Sequence, residues 1–384
     1  MSALPQQAYA AALAGFELMT WQRLSALLRH HRPAEAFEIA SGRAAPDPGG
    51  VVARLLDDER VRSVWSRSAR RRDPARVWDD CAALAVEVSV LGDRTHPPLL
   101  ALDPQPPPVL FSQGDRSLLD GRRVAVVGTR NATGAGRHLA RSFGRGLAAH
   151  GVHVVSGLAL GIDGQAHAGE LEAVVEGAPG RPVAVVASGH DVVYPRQHGD
   201  LWRRVAAEGL LLSEWPPGSE PLAYRFPQRN RLVASLSEVV VVVESRERGG
   251  SLITAQMAAE RGVPVMAVPG SALSRAALGV NALLRDGSAP AIDVDDGMVA
   301  LGLDHTRAAA CTTTPFDGRV PPRPSDVTAY RVCAARASTL GDVADALGLD
   351  VLDAAMSLAR LEQGGWLAQV DGWFEAVGSP FPCS

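Results

Sequence analysis

Three arginines and one phenylalanine stand within seven residues at 225–231, "RFPQRNR", with no acid among them. A guanidinium presents a planar fork of donors that matches phosphate, and an aromatic ring offers a face on which any base can stack. Together these residue types suit an unpaired polynucleotide, with Arg225, Arg229 and Arg231 on its backbone and Phe226 against a base. A second arrangement is open to the same residues: Phe226 buried, and the arginines solvated or paired with Glu214 and Glu220.

Three other stretches carry the makings of an anion site. "GTRNATGAG" (128–136) turns at Gly128 and enters a helix through Gly134 and Gly136, with Thr129 and Arg130 in the turn. The free amides at a helix start attract an anion, although a tight strand-to-helix turn alone accounts for the same pattern. The spacing is neither G-x-G-x-x-G nor G-x-x-x-x-G-K-[ST], which disfavours a standard dinucleotide or Walker site. The next strand ends in Ser156 and Gly157, without the acid that would hold a ribose hydroxyl. "SGLALGID" (156–163) places Gly157 and Gly161 around a turn, with Asp163 positioned to cap the following helix. His167 on that helix lacks a second metal ligand four residues on, and is a structural or surface histidine. "ERGGSLITA" (247–255) runs from a glycine-rich turn into a helix, with Arg248, Gly250, a capping Ser251 and Thr254. Amides, hydroxyl and guanidinium there suit a phosphate, and an ordinary capped helix would look alike.

The elements that must position these stretches lie between residues 120 and 295. Short β-branched runs, "RRVAVVG", "GVHVVSG", "RPVAVVASG", "GLLLSEW", "SEVVVVVES" and "GVPVMAVPG", alternate with amphipathic windows such as "GRHLARSFGRGLAAH" and "SLITAQMAAERG". Strands apolar on both faces, alternating with helices, predict an α/β fold with a doubly wound, Rossmann-like parallel sheet. Ligands of such sheets bind at the carboxyl ends of the strands, and all three glycine-rich turns fall on that edge. Their convergence favours the nucleic-acid arrangement over each stretch taken singly. Before the sheet, residues 1–78 carry apolar residues at helical spacing and close on a basic run, "SRSARRRDPAR", which a solvated helix face or linker explains. An α/β domain is expected over 79–302, a Pro- and Thr-rich linker over 303–325, and a winged helix over 326–384, where three helical windows precede two short strands around Asp371 and Gly372.

At 384 residues with 46% apolar and 21% charged content, the chain is expected to be a soluble protein of two or three domains. A net charge of −4 means that any nucleic-acid binding must come from a local patch. All 38 basic residues are arginine, as a GC-rich genome would produce, which excludes lysine Schiff-base chemistry and a Walker lysine. Cys81, Cys311, Cys333 and Cys383 form no CxxC pair or zinc spacing, so reduced thiols, no metal and a cytoplasmic location are expected. No membrane association is expected, since no apolar run reaches about 18 residues.

"GTRNATGAG", "SGLALGIDGQAH", "GHDVVYP", "SEWPPG", "FPQRNRLVASLS", "VVVESRERGGSLITA" and "AVPGS" occur in the order and spacing of the DNA-processing protein A family, also called DprA or Smf. The resemblance is continuous from about 120 to 290. It implies a non-enzymatic protein without cofactors that binds single-stranded DNA, forms homodimers and loads RecA onto strands during natural transformation and recombination. It also implies a helical, SAM-like N-terminal domain and a C-terminal winged helix. Carried over, Arg130, Phe226, Arg229, Asn230 and Arg231 match the family's DNA pocket, and Gly250, Ser251, Thr254 and Ala255 match the start of its G-S-L-x-T-A helix; Gly128, Thr129, Gly136, Ser156, Gly157, Gly161, Arg225 and Arg248 join them as expected DNA-binding residues from the turns and the basic stretch themselves. The chain departs from the family pattern at Thr133 and Ala135, where a serine and a tyrosine are usual, and at Arg225, where a histidine is usual.

Two alternatives use the same fold. A nucleoside-monophosphate phosphoribohydrolase would need a catalytic glutamate where "RGGSLITAQ" has Gln256, and no other carboxylate pair or nucleophile–base set has a recognisable spacing. A nucleotide-sensing module would take one small phosphorylated ligand in the same crevice. Asp350, Asp353 and Glu362 on the would-be reading helix favour a protein over duplex DNA for the C-terminal domain.

Overall fold

A computed structural model describes residues 4–302, 322–370 and 372–377. Most of the expected linker, and Asp371 in the expected turn, lie outside the described residues. Nine strands form one sheet: β1 (Glu87–Val90), β2 (Val109–Gly114), β3 (Arg123–Val127), β4 (His153–Ser156), β5 (Val183–Val185), β6 (Leu210–Ser213), β7 (Val239–Val242), β8 (Val265–Ala267) and β9 (Ala289–Pro290). Their order is β1-β2-β6-β5-β4-β3-β7-β8-β9. From β6 to β9 every pairing is parallel, while β2 joins β6 and β1 joins β2 antiparallel. The result is a mixed α/β fold with a largely parallel central sheet. The order runs outward in opposite directions from β3 and β7, which creates a crevice at their carboxyl ends.

All six β-branched runs form strands. Successive side chains of a strand point to opposite faces, and in β3 both sets are buried. Val124 and Val126 pack with Phe143, Leu147 and Val154 on one face. Ala125 and Val127 pack with Leu232, Val233, Ala255 and Ala258 on the other. Helices therefore cover both sides, as the absence of polar positions within these strands requires.

Residues 6–83 form six helices: Gln6–Ala14, Trp21–His30, Pro33–Ser41, Val51–Leu56, Glu59–Arg71 and Pro74–Ala83. Asp73 marks one start, accepting from the Arg76 amide at 3.3 Å with Pro74 in the first helical position. These helices share one core, built around Leu13, Leu27, Ile39 and Trp65, with Val88 and Val90 of β1 and Val109 and Phe111 of β2. The helical layer is thus seated on the antiparallel edge of the sheet.

The C-terminal segment folds around Tyr330, Val343, Leu358, Trp366 and Phe374. Helices Val327–Ala335, Leu340–Leu347 and Val351–Gln363 pack with a small sheet of β10 (Ser338–Thr339), β11 (Leu367–Val370) and β12 (Trp373–Ala376), ordered β10-β12-β11. Asp326 anchors the last helix, accepting from Arg360 Nε and Ser357 Oγ, each at 2.9 Å. Among the described residues, no helix is long and apolar enough to cross a membrane.

Candidate nucleic-acid interface

At the crevice an open cleft of about 1030 Å³ gathers residues from three strand ends and the helices Arg225–Ser235 and Gly250–Ala259. Gly128, Thr129 and Arg130 come from the turn after β3, Gly157 and Asp163 from the segment after β4. Phe226, Arg229 and Asn230 come from the helix Arg225–Ser235, and Arg246, Arg248, Gly250, Ser251 and Thr254 from the turn and helix after β7. Of the residues singled out in the sequence, Gly136, Ser156, Gly161, Arg225 and Arg231 do not line it.

The helix Arg225–Ser235 begins within "RFPQRNR". Pro227 sits in its first turn, where a backbone N–H would have no intrahelical acceptor in any case. The helix divides its side chains between the cleft and the interior. Phe226 is half-buried at the cleft, with the Arg130 guanidinium 4.7 Å above its ring centroid and Tyr194 at 5.4 Å and 52°. Asn230 Nδ2 donates to the Gly250 carbonyl at 3.4 Å and ties this helix to the next one.

The three arginines of this stretch have other partners. Arg225 lies 5.2 Å from the Trp215 ring centroid and donates to the Glu220 carbonyl at 2.7 Å. Arg231 pairs with the Glu214 carboxylate and donates to the Gln105 carbonyl at 2.7 Å. Burial raises the Glu214 carboxyl against the pull of Arg231. Arg229 is 4% exposed and donates to the Val185 carbonyl at 3.0 Å, and burial pushes its guanidinium down to about 10, opposed by Asp163. The arrangement thus combines the two that the sequence left open: the ring reaches the cleft, while the arginines are used inside. The exposed cations of the cleft are Arg130, Arg246 and Arg248, and none has an ion-pair partner among the described residues.

The glycine-rich turns also differ from one another. At the helix Gly134–Ala149, Thr133 Oγ1 accepts from the Gly136 amide at 3.0 Å. Glu244, at the end of β7, accepts from the Thr133 amide at 2.9 Å and from its hydroxyl. A Cβ on Gly136 would stand 2.3 Å from the Glu244 carboxyl carbon. This helix start already holds a carboxylate, so the expected anion site through Gly134 and Gly136 is filled by the protein itself. Gly161, at φ +79°, is needed because a Cβ there would meet the Thr129 carbonyl at 2.3 Å, and one on Gly157 would meet Arg229 Nη1 at 1.5 Å. Both let protein segments approach each other rather than admit a ligand.

Asp163 does not cap its own helix. Its carboxylate accepts from the Gly157 amide at 3.2 Å, and burial raises it against the pull of Arg229 and the amides of Gly128, Gly157 and Ala159. Ser156 is buried and donates to the Val126 carbonyl at 2.6 Å, knotting β4 to β3. His167 is fully buried 3.7 Å from Glu170, so it is structural and not a surface residue. Burial holds its imidazole down at about 3 and pushes the Glu170 carboxyl up.

The helix Gly250–Ala259 is the open one. It begins at Gly249 with no side-chain cap, because the expected cap, Ser251, donates instead to Ser245 Oγ at 2.9 Å. Gly249, Gly250 and Ser251 line the cleft beside Arg246 and Arg248, and a Cβ on Gly250 would meet nothing within 4 Å. Uncapped amides, the positive end of the helix dipole and two free guanidinium groups are together suited in charge and geometry to an anion. The described residues contain no cluster able to hold a metal ion. Arg246, Tyr194 and Glu244 went unnoticed in the sequence. Arg246, two residues before Arg248 in the same polar turn, carried the one usable signal.

The family described as DNA recombination-mediator protein A matches residues 87–302. Protein Smf from Synechocystis is 33% identical over 315 residues, covering 73% of this chain and 77% of that protein. DNA processing protein DprA from Bacillus subtilis is 43% identical over 184 residues, covering 48% of this chain and 60% of that one. A putative DprA from Mycobacterium tuberculosis is 44% identical over 192 residues, covering 50% of this chain and 48% of its own length. The chain therefore spans about half to three fifths of these last two relatives. Among solved structures, DNA processing protein A from Streptococcus pneumoniae superposes with a TM-score of 0.62 at 28% identity, over 78% of this chain and 98% of that one. The Helicobacter pylori protein, described for its single-stranded DNA binding mode, gives 0.50 at 29% identity, over 57% of this chain and 97% of that one. By the extent of these matches, and by the sheet and turns that they cover, the chain belongs to the DNA recombination-mediator protein A family, that of DprA and Smf.

Proposed function

We propose that this protein binds single-stranded DNA in the cleft at the carboxyl edge of its sheet and serves DNA processing in natural transformation and recombination. One observation carries this reading: the uncapped start of the helix Gly250–Ala259 shares a single open cleft with Arg130, Arg246 and Arg248, none of them neutralised by a carboxylate among the described residues. Phosphates would lie against those amides and guanidinium groups, and bases against the aromatic wall at Phe226. Gly128, Thr129, Gly157, Asn230, Ser251 and Thr254 form the floor of the site, while Arg229 supports it from within. The H. pylori relative, described as binding single-stranded DNA, supports the choice of ligand. The protein acts by binding rather than catalysis. It protects strands and helps load RecA as a homodimer, with residues 1–78 as a SAM-like domain, 79–302 as the DNA-binding domain and 326–384 as a winged helix.

Fluorescence anisotropy of a labelled oligothymidylate tests this, titrated across a range of salt concentrations with a mononucleotide as competitor. The expected result is a log affinity that falls linearly with log salt by about 0.7 for each phosphate contacted, with little competition by the mononucleotide. A salt-independent affinity, or full displacement by equimolar mononucleotide, would overturn the reading.

A further inference from the structure

The helix Glu59–Arg71 carries the basic run that the cleft does not use. Its inner face is formed by Val61, Trp65, Ser68 and Ala69, all buried. On the opposite face Arg60, Arg67, Arg70 and Arg71 are all exposed. At 3.6 residues per turn they fall within a stripe about 100° wide and about 16 Å long. Arg71 lies 3.5 Å from the exposed Glu17 carboxylate, while Arg60, Arg67 and Arg70 have no ion-pair partner among the described residues. Like charges three and four residues apart, as at Arg67, Arg70 and Arg71, repel and weaken a helix. Packing of the inner face therefore maintains an arrangement of charge that helix formation disfavours. The carboxyl end of this helix meets the segment that leads into the cleft. Arg72, next in the chain, donates to the Pro217 carbonyl at 2.8 Å; burial lowers its guanidinium, and the nearby Arg225 charge lowers it further. From Pro217 the chain leads through Tyr224, 53% exposed, to Phe226 at the cleft. Two acids beside this junction are engaged, Asp73 with the Arg76 amide at 3.3 Å and Asp191 with the Gly218 amide at 2.8 Å, and Glu220 is the exposed acid of residues 217–225.

We infer that the arginine stripe of Glu59–Arg71 is a second polyanion track, which holds the phosphate backbone of a single strand where it leaves the cleft. Resting on the strand-binding reading, this track extends the ligand's path from the sheet onto the helical layer. The occupant follows from the character of the stripe and from its continuity with the cleft. A protein partner is held by apolar and aromatic anchors that it buries, and between Glu59 and Arg71 no large apolar side chain is exposed. A row of guanidinium groups with no apolar surface between them suits phosphates, which carry charge and no sequence information. A short strand would fill the cleft alone, and a longer one would reach both surfaces, so affinity should keep rising with length beyond the span of the cleft.

Fluorescence anisotropy of labelled oligothymidylates of about 6 and about 30 nucleotides tests this on the full chain, the first within and the second beyond the roughly 4–16 nucleotides that one small binding domain tracks. Arg60→Ala, Arg67→Ala and Arg70→Ala are combined in one variant, and the same three arginines are changed to lysine in another. Thermal unfolding verifies that both variants fold. For the long strand the alanine variant is expected to flatten the slope of log affinity against log salt by about 2, at about 0.7 for each phosphate no longer neutralised. The short strand should bind the alanine variant as it binds the unaltered protein, and the lysine variant should restore the long-strand slope. A folded alanine variant with an unchanged long-strand slope, or one that weakens both strands equally, would overturn the inference while leaving the strand-binding reading in place. Binding of neither strand by the unaltered protein would overturn that reading, and the track with it.

Discussion

Two helices start on the same sheet edge after glycine-rich turns, and only one of them is free to bind. At Gly134–Ala149 the first turn is filled from within the protein by Thr133 and Glu244. At Gly250–Ala259 the cap residue is a glycine, the nearby serine has turned to Ser245, and the amides open onto a cleft with two exposed arginines. Sequence composition around the two starts is similar; what separates them is whether a capping side chain, Thr133 held in turn by Glu244, already occupies the first turn. The arginines divide the same way. Arg225, Arg229 and Arg231, which look like a binding cluster, are buried with partners. Arg130, Arg246 and Arg248, scattered over more than a hundred residues, are exposed around one cavity. A basic motif can therefore be used up inside the fold while the exposed charges of the neighbouring cleft come from elsewhere in the sequence.

The strongest way to break this division is Arg231→Ala or Glu214→Ala. Leaving one member of a buried pair uncompensated costs about 3–5 kcal/mol, which chemical denaturation would read, while the protein that remains folded should keep its oligonucleotide affinity. An Arg231→Ala protein of normal stability that no longer binds would move Arg231 into the interface. Next in size, Arg246→Ala combined with Arg248→Ala should flatten the slope of log affinity against log salt by about 1.4, at about 0.7 for each phosphate no longer neutralised. Stability should shift by no more than about 0.5 kcal/mol, because both side chains are exposed and unpaired. Glu244→Ala sharpens the contrast between the two helix starts. It should cost about 1 kcal/mol, typical of removing a capping partner, without lowering oligonucleotide affinity; weaker binding at normal stability would make the first helix start part of the interface. The smallest effect belongs to Gly250→Ala. With nothing within 4 Å of the added methyl, stability should change by less than about 0.5 kcal/mol, yet affinity should fall a few-fold because the methyl stands where a phosphate must approach.

The central sheet was legible because its strands announce themselves as β-branched runs buried on both faces, "VAVV" and "VVVV" most plainly. β1 and β2 were not, since "EVSV" and "VLFSQG" flank a proline-rich segment, and they join the sheet only through the pairing of β2 with β6, about a hundred residues away. The helix at 225–235 was hidden by Pro227 and by its polar first turn. The cleft's location followed from topology, and Arg130, Phe226, Arg248 and Gly250 were found with it. The fate of individual side chains was not legible. Arg231 is taken by Glu214 and by the Gln105 carbonyl, 126 residues away, and the first helix start by Glu244, 111 residues from Thr133. Such pairings are decided by tertiary proximity, and local residue types carry no trace of them.

Backbone amide hydrogen exchange with and without an oligothymidylate compares the two helix starts most directly. Protection on binding is expected at residues 249–254 and not at Thr133, Gly136 and Arg137, whose amides are already held by Glu244 and Thr133. Protection at those three with none at 249–254 would contradict the assignment of the open helix start as the phosphate site.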